Sequence, residues 1–240
     1  MLFEKKEITL KNGKKAILRA PRREDGAEMC EYLRTMSSET EFVIRYPEEC
    51  TETAESEGEF LEKLNSSELK MMIVCEVDGK IAGNCQIMFY GRIKTAHRAT
   101  VAIGLTREYW GLGIGSAMFD EMEKAARQRG CLLMELDFIE GNARARGLYE
   151  KKGFRITGVL EDAIRLKDGT LLNEYHMVKK LPQYDRTSFK ACHTAAYLLF
   201  RSFSGAEVSV VSVKHHGNDL SDVGHAIQSL NFNKMLAVSR

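Results

Sequence analysis

The sequence predicts an α/β fold on three observations. A run rich in β-branched and other apolar residues, Thr100–Leu105, passes through a turn into an amphipathic helical pattern ending near Arg129. A second strand pattern, Leu132–Ile139, is followed at Gly141-Asn142 by another helical pattern running through Lys152. Three dipeptides with turn chemistry, Asn12-Gly13, Asp78-Gly79 and Asp168-Gly169, each separate two strand-like runs, as hairpins require.

Taken in order, Ile8–Leu10 and Lys15–Leu18 flank the first turn. Arg22–Asp25 leads into a helix through Met36, with Met29, Tyr32 and Leu33 on one face. A strongly acidic helix falls within Thr51–Ser66, and Met71–Val77 with Lys80–Tyr90 forms the second hairpin. Strand Ala99–Leu105, the long helix, strand 132–139 and helix 142–152 follow, the last closed by Gly153. Phe154–Leu166 and Leu171–Lys180 complete the series. With the first hairpin counted as one element, the order is β-α-α-β-β-β-α-β-α-β-β.

Composition excludes several function classes. At 240 residues the chain exceeds one average domain but is short for two large ones. Its 35 Lys and Arg against 34 Asp and Glu give no global charge favouring nucleic acid or a membrane surface. Six cysteines without a CxxC pair, several in apolar segments, suit reduced, packed thiols. No apolar run approaches the roughly 18 residues of a membrane span. The opening MLFEKKEITL carries no basic leader with an apolar core, so a cytoplasmic location is the expectation.

The chemistry concentrates where Gly111, Gly113 and Gly115 open the long helix. Residues without a Cβ let a ligand approach bare amides, and the first amides of a helix lack internal partners at the positive end of its dipole. Such a turn seats a phosphate or pyrophosphate. It is not a dinucleotide fingerprint, because Ser116 stands where the third glycine of G-x-G-x-x-G belongs. Nor is it a nucleotide-triphosphate loop, since no lysine occurs between Lys94 and Lys124. On spacing alone, a plain tight turn stays open as an alternative.

Trp110–Gly115 overlies the [Q/R]-x-x-G-x-[G/A] loop, and Asn142, Ala145, Leu148, Tyr149, Gly153 and Phe154 match N-x-x-A-x-x-L-Y-x-x-x-G-F. Together these motifs resemble the GNAT superfamily of N-acetyltransferases, over residues 1–181 and most strongly over 97–181. The resemblance implies a mixed, twisted sheet with helices on both faces, splayed between the strands at 99–105 and 132–139. It implies acetyl-coenzyme A as cosubstrate and no metal. The pantetheine arm would then pair with main chain from Ile103 to Leu105, as an added strand does. The amides of Gly111, Leu112, Gly113, Ile114, Gly115 and Ser116 would face the pyrophosphate. Trp110 departs from the family's Gln or Arg, which leaves the backbone contact intact and replaces the side-chain one. Asn142 is expected at the cofactor, although the same position suits a helix N-cap.

Acetyl transfer needs a polarised thioester carbonyl, a deprotonated amine and a proton for the leaving thiolate. A backbone amide near Ile103–Leu105 is the expected donor to the carbonyl. Tyr149 is the expected general acid, because a phenol with an ordinary pKa near 10 holds its proton at neutral pH. The alternative is an aromatic ring packed between helix and sheet. Glu135, which shares a strand face with Asp137, and His97 are the candidate bases, each with a plain structural reading beside it. Bound water is the further option.

The expected reaction is direct transfer to the primary amine of a small molecule in a ternary complex, with a homodimer an open possibility. A coenzyme A-binding sensor without transfer activity and a protein N-terminal or lysine acetyltransferase are the alternatives. The acidic 37–62 stretch reads as a solvated helix face or as the approach of a cationic acceptor. Residues 182–240 form a separate extension of unknown role, accessory or non-native, with four of the six histidines. A helix at 195–200 and a strand at 207–214 are expected there.

Overall fold

Among the described residues, eight strands and four α-helices follow one another in the order the patterns predict. Strands β1 (Lys6–Thr9) and β2 (Lys15–Arg19) precede helices α1 (Gly26–Glu39) and α2 (Ala54–Asn65). Strands β3 (Lys70–Val77), β4 (Lys80–Phe89) and β5 (Arg98–Leu105) lead to α3 (Ile114–Gln128). Then come β6 (Leu133–Ile139), α4 (Ala143–Lys151), β7 (Arg155–Arg165) and β8 (Leu171–Lys180). The computed structural model describes residues 2–181, and the expectations for 195–200, 207–214 and the four C-terminal histidines lie outside them.

The eight strands form one sheet in the order β1-β2-β3-β4-β5-β6-β8-β7. Every pairing is antiparallel except β5 with β6, which makes the sheet mixed. Alternation along the strands divides two cores. Met71, Ile73, Cys75 and Val77 face Met118, Phe119 and Met122 of α3, while Met72 and Val74 face Met29, Tyr32, Leu61 and Leu64 of α1 and α2. Helices therefore cover both faces. The five described cysteines are free and buried, as packed thiols. Inside the α1 end, Arg19 forks onto Asp25 at 2.6 and 2.9 Å and onto Glu76 at 2.8 Å, fixing that helix to the sheet.

One irregularity positions the site. β5 pairs with β4 along its whole length, from Ala99↔Phe89 to Leu105↔Gly83. With β6 it pairs only over Arg98↔Leu133, Ala99↔Met134 and Thr100↔Glu135. Beyond Thr100 the two parallel strands part, and the main chain of 101–105 has an open side. On that stretch Val101, Ile103 and Leu105 belong to the α3 core, whereas Gly104 faces α1 so closely that a Cβ would lie 2.3 Å from the Met36 Sδ.

Candidate active site

The cradle is built from left-handed backbone. Gly111 and Gly113 have φ of +77° and +98°, and Gly113 is the N-cap of α3. Gly115 serves a different end. Its backbone is ordinary helix, but a Cβ there would lie 2.9 Å from Leu148 Cδ2, with Leu105 and Ile103 at 3.5 and 3.6 Å. The third glycine thus lets α3 touch α4 and β5, and the two motifs meet through a side chain. Among the described residues, none accepts a hydrogen bond from the amides of Gly111 to Ser116; the helix ladder begins with Ala117 donating to the Gly113 carbonyl at 3.1 Å. Six consecutive unpaired amides at a helix N-terminus, beside an open strand edge, fit a pyrophosphate and its pantetheine arm.

Trp110 replaces the expected Gln or Arg with a brace. Its indole Nε1 donates to the Leu105 carbonyl at 2.7 Å. The guanidinium carbons of Arg144 and Arg107 lie 4.8 and 5.5 Å from its ring centroid. The Leu105 carbonyl is therefore engaged within the protein; Arg98 and Thr106 bond toward β4, so by alternation Ile103 is the freer part of the open edge. Asn142 is seen as the N-cap of α4, its Oδ1 accepting from Ala145 N at 3.1 Å.

Tyr149 sits among Phe119, Phe138 and Phe154, with ring centroids 5.6, 6.1 and 6.3 Å away. Its hydroxyl makes no hydrogen bond to a described residue, yet it is not sealed from solvent. Burial pushes its pKa up to about 12. The ring packs between helix and sheet, and the hydroxyl is held protonated with no described partner.

The two candidate bases fare otherwise. His97 lies on the turn before β5, and its carbonyl accepts the amides of Leu132 and Leu133 at 2.7 and 3.1 Å. That is the closed end of the β5–β6 pair, away from the splay, so the structure does not bring His97 to the cradle. Glu135 is no solvated carboxylate: it is 4% exposed and committed to Arg98 at 2.7 Å, with Tyr90 and Thr100 also donating to it. Burial alone would raise its pKa, but the Tyr90 hydroxyl and the Arg98 guanidinium outweigh it and hold the carboxyl below the usual range. A carboxylate so engaged is a poor proton acceptor, because taking a proton breaks its ion pair. The residue that alternation predicts beside it, Asp137, is exposed and bonded to His176, which sequence reasoning passed over.

Across the open end runs the loop between α1 and α2. The Arg107 amide donates to the Glu39 carboxylate at 2.6 Å, and its guanidinium to the Glu39 carbonyl. Phe42 packs where a Cβ on Gly141 would stand, 3.4 Å away. The Lys167 amide donates to the Tyr46 hydroxyl at 3.0 Å, while Lys167 Nζ pairs with Glu48. Between this loop and β7 lies a cavity of about 500 Å³, lined by residues 37–41, 43–47 and 163–166. The acidic stretch is thus largely paired, with Glu52 on Arg45, Glu59 and Glu62 on Arg23, and Glu57 buried.

These features coincide with the known proteins the chain is similar to. The model of the Acetyltransferase (GNAT) family matches residues 32–154. The chain belongs to the GNAT acetyltransferase family. An acetyltransferase of the GNAT family from Streptococcus pneumoniae is 29% identical, with a TM-score of 0.64, the match covering 69% of this chain and 99% of that one. A ribosomal-protein-alanine N-acetyltransferase from Brucella melitensis is 22% identical, with a TM-score of 0.59 over 68% of this chain and 99% of its own. A Salmonella typhimurium protein whose structure holds its cofactor acetyl-CoA is 17% identical, with a TM-score of 0.60 over 70% and 95%. The last two speak for the fold alone. This GNAT chain is accordingly an acyltransferase that uses acetyl-CoA. Among the described residues no helix is long and apolar enough to cross a membrane.

Proposed function

We propose that this enzyme acetylates the primary amine of a small molecule, by direct transfer with donor and acceptor bound together. The observation that carries this reading is the parted β5–β6 pair beside six amides that bond to no described residue; a cavity between the α1–α2 loop and β7 supports it. At about 500 Å³ the cavity matches a small-molecule site rather than an open peptide groove. Its rim carries Glu41 and Arg165, neither ion-paired to a described residue, alongside apolar Val43, Ile44, Ala163 and Ile164. Glu41 suits a cationic amine.

Acetyl-CoA, when bound, supplies an activated acyl group as a thioester. The chain's residues do the rest. The amides of Gly111–Ser116 and the α3 dipole hold the pyrophosphate. The amide of Ile103, on the open edge, donates to the carbonyl oxygen as negative charge builds there. Tyr149 donates a hydrogen bond, and then its proton, at the sulfur. With a pKa of about 12 it cannot act as a base at neutral pH, so its role is confined to donation.

Thiol release from acetyl-CoA across a panel of small amines and peptides tests this. Turnover with one small-amine class, lowered in Tyr149→Phe and abolished in Gly113→Glu, is expected. Peptide-only turnover would reassign the acceptor, and Gly113-dependent binding without any turnover would leave only a coenzyme A-binding module.

A further inference from the structure

The sheet face opposite α3 and α4 carries an unassigned pair of side chains at the splay. Met134, Leu136 and Phe138 of β6 point into the α3 core, so Glu135, Asp137 and Ile139 point the other way. On β8, Tyr175 and Met177 join that same core, which turns Glu174, His176 and Val178 to the opposite face. Asp137 and His176 are direct register partners, and His176 Nδ1 lies 2.6 Å from Asp137 Oδ1. Their side chains are 46% and 39% exposed.

Position distinguishes this pair from the other carboxylates. The β5–β6 ladder ends at Thr100↔Glu135, so Asp137 is the first residue on its face past the point where the strands part. α1 closes over the neighbouring stretch of the same face at Gly104, but it leaves Asp137 and His176 half-exposed. The opposite face at the splay belongs to Tyr149, which packs on Phe138. The dyad and the proposed acid therefore lie on opposite faces of the sheet at its opening.

The pairing also fixes the histidine's chemistry. An ionised carboxylate can only accept, so the proton of a neutral imidazole is held on Nδ1 and the lone pair stays on Nε2. This is the arrangement in which a carboxylate orients a histidine base. The charged groups around it are Asp137 itself, Glu135 with its Arg98 on the adjoining strands, Glu174 two residues along β8, and Arg155 of β7, the register partner of Val178. On β7 the residue opposite is Gly158, which brings no charge.

We propose that His176, oriented by Asp137, is the general base that takes the acceptor's proton. This rests on the acetyltransferase reading above. As the amine nitrogen bonds to the acyl carbon, its N–H proton passes to His176 Nε2. The electron pair of the breaking C–S bond goes to sulfur, which receives the Tyr149 proton. His176 then returns its proton to solvent, and Tyr149 recovers one, so no further reactant is needed.

The test is the pH profile of kcat/KM, with the amine found active, in wild type, His176→Gln and Asp137→Asn, with acetyl-CoA affinity measured by calorimetry alongside. The expected loss in His176→Gln is about 10²–10⁴-fold in kcat, with acetyl-CoA affinity unchanged. Its profile should also lose the acid limb of the wild type. Asp137→Asn should lower kcat less than His176→Gln does, with acetyl-CoA affinity again unchanged, because the imidazole keeps its lone pair but loses the carboxylate that orients it. A His176→Gln enzyme that keeps both the rate and the limb overturns the assignment while leaving the function standing. Absence of turnover by wild type with any amine overturns both. If only the thermal midpoint falls in the two variants, the dyad is structural and the proposal fails.

Discussion

Gly113→Ala isolates the backbone contribution to cofactor binding. At φ of +98° an L-residue is strained, and the space around it is not the reason: a Cβ would meet only Lys11 Cγ, at 3.8 Å. The left-handed conformation costs about 1–2 kcal/mol for a residue with a Cβ. Reduced freedom of the unfolded chain returns roughly 0.4–1 kcal/mol, leaving a net loss near 1 kcal/mol. For a domain of this size, that lowers the thermal midpoint by about 2–4 °C. If the loop instead relaxes to relieve the strain, its amides turn from the phosphates. Losing one hydrogen bond to a charged group, about 1.5–3 kcal/mol, weakens acetyl-CoA binding by at least tenfold. Scanning calorimetry and titration calorimetry on the same variant separate the two outlets, and a loss in one or both is expected. Gly115→Ala is the control: its backbone is unstrained, and its only conflict is with Leu148, the tip of a flexible side chain 2.9 Å away. A Gly113→Ala protein with unchanged midpoint and unchanged affinity would refute the argument that the left-handed turn shapes the cradle.

Three other outcomes follow from the same geometry. Tyr149→Phe should lower kcat by about 10²–10⁴-fold with no change in thermal midpoint, since the hydroxyl bonds to no described residue; steady-state rates and calorimetry check both parts. Glu135→Gln should destabilise the fold by about 1.5–3 kcal/mol at neutral pH by leaving Arg98 without its charged partner. Because the Glu135 carboxyl is held below its ordinary pKa, its contribution is complete above the ordinary glutamate range and is lost as pH falls through and below that range. Urea midpoints from pH 7 downward should therefore converge for wild type and variant. Asn142→Ala should cost about 1 kcal/mol through the lost cap while KM for acetyl-CoA stays the same. A raised KM would return Asn142 to the cofactor.

The proposed donor side is legible in sequence because its determinants are contiguous. Gly111 and Gly113 set a turn, the next amides open a helix, and Tyr149 follows Asn142 along one helical segment, so short-range rules reach all of them. Even there, one meaning was hidden. Gly115 reads in sequence as a third phosphate glycine, but its reason is Leu148, 33 residues away in the chain and at 2.9 Å in space. The proposed proton acceptor is not legible in sequence, for the same cause on a larger scale. Alternation put Glu135 and Asp137 on one face, yet only register says that Arg98 and Tyr90 take the first while His176 takes the second. His97 was attractive for its chemistry, but the β5–β6 ladder shows that it stands at the closed end of the pair. His176 carried no local signal at all, since it sits in a β-strand 39 residues from Asp137. The backbone-built half of the site tolerates changes of side chain, as Trp110 shows by bracing Leu105 where Gln or Arg is usual. The proposed acceptor half is made of side chains brought together by strand register and by one loop. A single substitution there can alter which amine is bound without disturbing how the acetyl donor is held.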